Sequence, residues 1–160
     1  MTESEFMELV KQYRQTVFRA AYCQLRSYSE AEDITQEVFL ALYTYNGCFN
    51  DDSHIKAWLL RVTMNKCRNL MKSAFRRFSV PFEEAEDKPV FMEENELLRI
   101  VMTLKPKLRT PLYMYYYEEY SVKEIAELLG EKETTITTRL SRGRQKLKEL
   151  LTKEEKDELS

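Results

Sequence analysis

The stretch SVKEIAELLGEKETTITTRLSRGRQKLKELL, residues 121–151, carries two helical patterns separated by a glycine. Ser121 followed by Glu124 has the spacing of a capping box, in which the hydroxyl takes an orphan backbone amide and the carboxylate reaches back, so a helix is predicted from Val122. Val122, Ile125, Ala126 and Leu129 recur at i, i+3, i+4 and i+7, giving that helix one apolar face, and Gly130 stands where a left-handed stop belongs. After the polar residues 131–135, Ile136, Leu140, Gly143, Leu147 and Leu151 recur at i, i+4, i+7, i+11 and i+15. They predict a second, longer helix, and the pair reads as a helix-turn-helix.

The outer face of the second helix carries the functional signal. Thr134, Thr138, Ser141 and Gln145 lie opposite the leucine stripe, with Arg139, Arg142 and Lys146 on one side and Arg144 and Lys148 on the other. Short hydrogen-bonding groups between two margins of cations suit a major groove, where central side chains meet base edges and flanking cations meet phosphates. A solvated amphipathic helix is the bland alternative for a basic face. The capped first helix, the glycine turn and the paired margins together favour DNA. Upstream, Leu108, Leu112, Tyr113, Tyr116 and Tyr117 fall at helical spacing within 104–120 and read as a supporting core helix in preference to a stacking platform. Pro111 either opens that helix after Thr110 or kinks it.

Composition sets the frame for these motifs. The 160 residues are 43% hydrophobic and 32% charged, the balance of a globular chain. Only three Gly and four Pro interrupt a sequence rich in helix formers, so an all-α fold of two small helical domains is expected. The start, MTESEFMELV, lacks the basic-then-apolar order of a secretory signal, and no apolar run approaches the ~18 residues of a membrane span. The chain is expected to stay in the cytoplasm. Cys23, Cys48 and Cys67, with His54 alone beside them, match neither a disulfide framework nor a zinc spacing, so no metal or other cofactor is expected. One His, no nucleophile paired with a base and no Gly-rich phosphate loop argue against an enzyme.

Charge is segregated although the net is only −2. Residues 53–82 hold Lys56, Arg61, Lys66, Arg68, Lys72, Arg76 and Arg77 without one acid, whereas 82–96 carry seven acids against one Lys. The acidic segment reads as a linker at 77–92 between a domain of residues 1–76 and the helix-turn-helix domain of 93–160.

In the first domain a helix is expected from about Glu5 to Arg26, burying Phe6, Leu9, Val10, Tyr13, Val17, Ala20 and Ala21. A second is expected behind Ser29, with Glu32 completing a capping box. It turns Ile34, Val38, Ala41 and Leu42 inward, which leaves Asp33, Gln36 and Glu37 as an acidic patch, either solvated surface or interface. A third helix, about His54 to Phe75, has two apolar stripes and a narrow outer strip of Arg61, Asn65, Arg68 and Lys72 with Asn69 adjacent. Beside Trp58 and a loop bearing Asn46, Phe49 and Asn50, such a strip could hold an opened strand with its bases turned into pockets. A surface strip over a core tryptophan is the competing view.

Taken together, AEDITQEVFLALY (31–43), IKAWLLRVTMNKCRNLMKS (55–73) and the segments from 112 to 151 resemble the extracytoplasmic-function group of bacterial RNA polymerase sigma factors, in that group's order and spacing from about Glu5 to Leu151. The resemblance implies a promoter-specificity subunit. It places Asp33, Gln36, Glu37 and Phe39 in the segment that docks on core RNA polymerase. It places Arg61, Asn65, Asn69 and Lys72 in the segment that melts and reads the minus-ten element, with Arg68 alongside, and residues 46–53 in the loop that captures an extruded base. Thr134, Thr137, Thr138, Arg139, Ser141 and Arg142, extended by Arg144 and Gln145, fall in the helix that enters the minus-thirty-five duplex. An anti-sigma partner is implied as well, without membrane insertion. The sequence departs from the group at Asn69, commonly Asp, at Lys72, commonly Arg, at Gly143, commonly Ala, and at Glu131-Lys132-Glu133, where small apolar and Ser residues are usual. A stand-alone duplex-binding regulator, its first half a dimerisation or ligand domain, is the rival reading of the same residues.

Overall fold

The computed structural model describes residues 1–78 and 95–159, and every element among them is helical. The chain divides into two compact units, Met1–Asp87 and Lys88–Ser160.

The first unit contains α1 (Glu3–Leu25), α2 (Tyr28–Thr44) and α3 (Asp52–Phe78), each touching the other two. The start of α1 is set by a capping box at Thr2. The Glu5 amide donates to Thr2 Oγ1 over 3.1 Å and the Thr2 amide returns a bond to the Glu5 carboxylate over 2.8 Å, which holds that carboxyl below its usual range. The helix stops at Arg26, whose left-handed φ of 56° lets its amide close on the Tyr22 carbonyl. Capping of α2 falls on Ser27, not on the expected Ser29: the Ser27 hydroxyl accepts from the Glu30 amide. The earlier start brings Tyr28 into the helix and sets its ring edge-on to Phe18 at 5.3 Å.

Small side chains let these helices close on one another. Ala20, Ala21 and Cys23 of α1, Ala31 of α2 and Cys67 of α3 are wholly buried, interleaved with Val17, Leu25, Val38, Leu42, Leu59, Leu60 and Met64. Each of the larger side chains contributes about 1.5–3 kcal/mol by leaving water. Phe6, Leu9, Val10 and Ala41, expected inside, are only half-buried. The hydroxyls of Thr35 and Thr63, both buried, donate to the Ala31 and Leu59 carbonyls over 2.7 Å and so enter the core without an unpaired donor. The third helix runs to Phe78, three residues past the expected end, so residues 77–78 of the expected linker are helical and the rest of 77–92 lies outside the described residues.

The second unit contains α4 (Glu96–Val101), α5 (Pro106–Tyr116), α6 (Val122–Leu129) and α7 (Glu133–Leu159). Pro106, not Pro111, opens α5, and the helix continues through Pro111. Pro111 has no N–H for the Lys107 carbonyl, an acceptor on an exposed residue where water can serve. Arg109 is 1% exposed, and its guanidinium donates to the Leu104 carbonyl over 2.8 Å, just past the end of α4. A buried cation is tolerated there because carbonyl dipoles at a helix C-terminus face it. Tyr117 joins the two ends, donating to Asn95 Oδ1, the same oxygen that caps α4 at the Leu98 amide. Burial raises the Tyr117 phenol above its ordinary value.

The helix-turn-helix is as expected at α6, with Ser121 and Glu124 exchanging two bonds of 3.1 Å. Gly130 adopts φ 65°, and its amide and that of Glu131 both close on the Ala126 carbonyl. At α7 the inward stripe is Ile136, Leu140, Gly143 and Leu147, while Leu151 is exposed. At Gly143 α7 packs directly on α5: a Cβ there would stand 2.6 Å from a methyl of Leu112, itself fully buried.

Two outcomes follow from this packing. Gly143→Val drives a branched side chain into Leu112 and lowers stability by about 1–3 kcal/mol, read as a depressed thermal midpoint by circular dichroism. Burial pushes the Cys67 thiol up to about 12, with the nearby Cys23 and Glu30 adding to the effect, and Cys23 is buried with it. A thiol reagent at pH 8 should therefore label Cys48 in the native chain and reach all three cysteines only in denaturant; rapid native labelling of Cys67 contradicts this core.

Candidate nucleic-acid interface

Three outward surfaces collect the residues singled out in the sequence, two on the first unit and one on the second. On α2, Asp33, Gln36 and Glu37 are exposed on one face. Phe39 is not with them: it is 6% exposed and packs in the core, so its expected role at a partner surface is corrected. The apolar groups on that face are Leu40 and Tyr43, 63% and 62% exposed, one and two turns after the acids. Tyr43 also meets Phe6 of α1 edge-on at 5.1 Å. Acids bordering exposed apolar side chains form a surface that can bury area and match charge at once, the chemistry of a protein contact. The helical spacing of Leu40 and Tyr43 from Asp33 and Gln36 is the signal that could have found them.

Along α3, Arg61, Asn65, Asn69 and Lys72 are exposed and successive turns bring them to one strip. Arg68, expected on that strip, is half-buried and engaged with the protein. Beside the start of α3 the 45–54 segment gathers an aromatic nest. Trp58 is half-buried with Tyr45 at 4.8 Å and Phe49 at 5.7 Å, and the Tyr45 and Phe49 rings stand 5.3 Å apart. The Tyr45 ring lies over Gly47, in the space a side chain there would take. His54 braces the nest from below: its Nδ1 accepts the Asn50 amide over 3.1 Å, its own amide donates to Asp51 Oδ1 over 2.8 Å, and its ring meets Phe49 edge-on at 5.2 Å. Asn46 and Asn50 remain exposed at the rim. Cations, amides and partly open aromatic faces in one place can hold a single strand by its phosphates and stack its bases. Tyr45, central to the nest, meets Phe49 and Trp58 from the end of α2 and shares no helical spacing with them, so periodicity does not single it out.

On α7, Thr134, Thr137, Thr138, Ser141, Arg142, Arg144 and Gln145 are exposed and Arg139 is half-buried. The Thr137 and Thr138 hydroxyls donate to the Glu133 and Thr134 carbonyls over 3.0 Å. Arg139 Nη2 lies 3.3 Å from Glu131 Oε1. Arg144 Nε donates to the Tyr116 hydroxyl over 2.7 Å, and its guanidinium lies 5.4 and 5.7 Å from the ring centres of Tyr115 and Tyr116. Tyr116, expected in the core of α5, is thus an exposed brace for a cation of α7.

Residues 9–77 match the family described as Sigma-70 region 2, and residues 94–147 match Sigma-70, region 4. The ECF RNA polymerase sigma factor SigW of Bacillus subtilis (strain 168) is 27% identical, over 93% of this chain and 90% of its own length. The ECF RNA polymerase sigma factor SigM of Mycobacterium tuberculosis (strain ATCC 25618 / H37Rv) is 26% identical, over 91% of this chain and 76% of its own. Among solved structures, the sigma factor RpoE of Bartonella quintana, in complex with the anti-sigma factor NepR, aligns with a TM-score of 0.77 at 21% identity, over 92% of this chain and 97% of its own. CnrH, in complex with the cytosolic domain of CnrY, aligns with a TM-score of 0.66 at 24% identity, over 94% and 90%. These two likenesses establish a shared fold.

The aromatic nest can be tested optically, because Trp58 is the one tryptophan of the sequence. Phe49→Ala removes a ring from the indole and should move the emission maximum to longer wavelength; an unchanged spectrum would mean that Phe49 does not shield Trp58 in solution.

Proposed function

Because the chain belongs to the extracytoplasmic-function group of RNA polymerase sigma factors and serves promoter recognition and transcription initiation, we propose that its three outward surfaces divide that work. The α2 face, Asp33, Gln36 and Glu37 with Leu40 and Tyr43, docks on the core polymerase. The strip Arg61, Asn65, Asn69 and Lys72 grips the melted minus-ten strand while the nest around Trp58, rimmed by Asn46 and Asn50, receives an extruded base. The α7 face anchors the minus-thirty-five duplex, with Thr134, Thr138, Ser141 and Gln145 toward the bases and Arg139, Arg142 and Arg144 toward the phosphates.

The observation that carries this reading is the pairing, in one chain, of an aromatic nest beside cations with a groove-sized helix bearing cations at both margins. The first suits unpaired bases and the second suits paired ones. Such a protein positions strands and does no bond chemistry of its own. Unstacking costs a few kcal/mol per step, and contacts with the captured strand offset it only when the polymerase holds both ends of the promoter. An anti-sigma partner belongs to the same reading: RpoE is held by one, NepR, and on this chain the acidic and apolar α2 face offers a protein contact that such a partner would cover. The work is cytoplasmic, where the polymerase is. No described helix is long and apolar enough to cross a membrane.

In vitro transcription with core polymerase on a genomic fragment library tests the whole. The wild type should direct initiation from a restricted set of sites. Asp33→Lys combined with Glu37→Lys should weaken core binding about tenfold or more, since like charges brought together at an interface cost several kcal/mol. Arg61→Ala with Lys72→Ala should reduce permanganate reactivity of unpaired thymines while duplex retention persists, and Arg142→Ala should do the reverse. If transcription is indifferent to charge reversal on α2, that face is not the polymerase contact and this division of the work fails.

A further inference from the structure

The two margins of α7 are not equivalent. Arg144 is held by a neutral partner, the Tyr116 hydroxyl, and by ring faces, so it keeps its full charge toward any ligand. Arg139 is held by a carboxylate, Glu131, at 3.3 Å, with the guanidinium side chain only 21% exposed. Glu131 does not reach Arg139 by chance of a flexible chain. Its backbone is fixed by the left-handed Gly130 before it and by its own amide bond of 2.9 Å to the Ala126 carbonyl. The pair therefore spans the turn of the helix-turn-helix, at the end of α7 where an approaching phosphate would otherwise meet an unpaired cation and the positive end of a helix.

Resting on the reading of α7 as the duplex-binding helix, we propose that Glu131 is a built-in competitor for the DNA backbone, occupying Arg139 until a phosphate displaces it and thereby lowering the affinity of the chain for duplex. A phosphate that takes Arg139 must first break the Glu131 ion pair, and the loss of that pair is what lowers the affinity. One fewer cation is effectively available, so salt dependence is shallower than the cation count of α7 implies.

The test is a double-mutant cycle on the full chain with a short mixed-sequence duplex, titrated between about 50 and 200 mM salt. Glu131→Gln should tighten binding about two- to fivefold at the low end, the range of an exposed ion pair, and should steepen the salt slope by about one unit. Arg139→Gln should weaken binding and abolish the gain from Glu131→Gln in the double variant. Weaker binding by Glu131→Gln would overturn the proposal, since Glu131 would then be holding Arg139 in its productive pose. An equal gain in the Arg139→Gln background would also overturn it, since the effect would be one of net charge alone. Glu131→Ala repeats the first arm, and matching thermal midpoints show that folding is unaltered. Arg142→Gln reports on the underlying reading: if it and Arg139→Gln both leave duplex affinity unchanged, α7 is not the duplex surface and the parent reading fails.

Discussion

The outward face of α7 is usable because its inward face is locked, and the lock is the contact of Leu112 with the backbone of α7 at Gly143. A residue without a Cβ lets two helices approach until a buried leucine fills the space a side chain would take. Other contacts of the second unit lie on the same two helices. Ile136, Leu140 and Leu147 are carried into the core on the same stripe, and Tyr116, near the end of α5, comes within reach of Arg144. Arg109 then ties α5 back to the end of α4 through carbonyl oxygens. The outward face of α7 is thus oriented by packing several residues away from its exposed polar groups.

The first unit solves the same problem with small residues distributed over three helices. Ala20, Ala21, Cys23, Ala31 and Cys67 allow close approach, and what remains outside is narrow. Along α2 the division passes between adjacent residues: Phe39 faces the core and Leu40 faces outward. The aromatic nest is a different kind of construction, half core and half surface, since Trp58 is packed by Tyr45 and Phe49 while the asparagines around it stay exposed. A unit of this size has little core to spare, and it places part of its aromatic content where it can still be reached.

Features governed by local chemistry were legible in the sequence. The Ser121 box, the Gly130 stop and the phase of the α7 stripe depend on residues within one or two turns, and they appear where the spacing put them. Features decided by distant partners were not. Ser27 and Ser29 each precede a glutamate by three residues, and the packing of Tyr28 on Phe18 accompanies the choice of Ser27. Phe39 lies at the edge of the buried arc of α2, where spacing alone cannot say whether a ring turns in or out. Arg109 reads as one more surface cation until the end of α4 is placed over it. Pro111 reads as either a helix start or a kink, because spacing does not show that Pro106 already fills the first position. The candidate surfaces were legible to a similar extent: most of their polar members are exposed as spacing implied, whereas Leu40, Tyr43, Tyr45 and the braces on Arg139 and Arg144 depend on tertiary neighbours.

The threonines of α7 hold one more consequence. A hydroxyl has a single hydrogen, and those of Thr137 and Thr138 are already turned back onto carbonyls of their own helix. What these groups present outward is lone pairs. In the major groove only adenine and cytosine offer an amino hydrogen, while guanine and thymine offer oxygens there. With that rotamer kept, the two hydroxyls can meet an outside group only as acceptors, which matches the amino hydrogens of adenine and cytosine and not the oxygens of guanine and thymine.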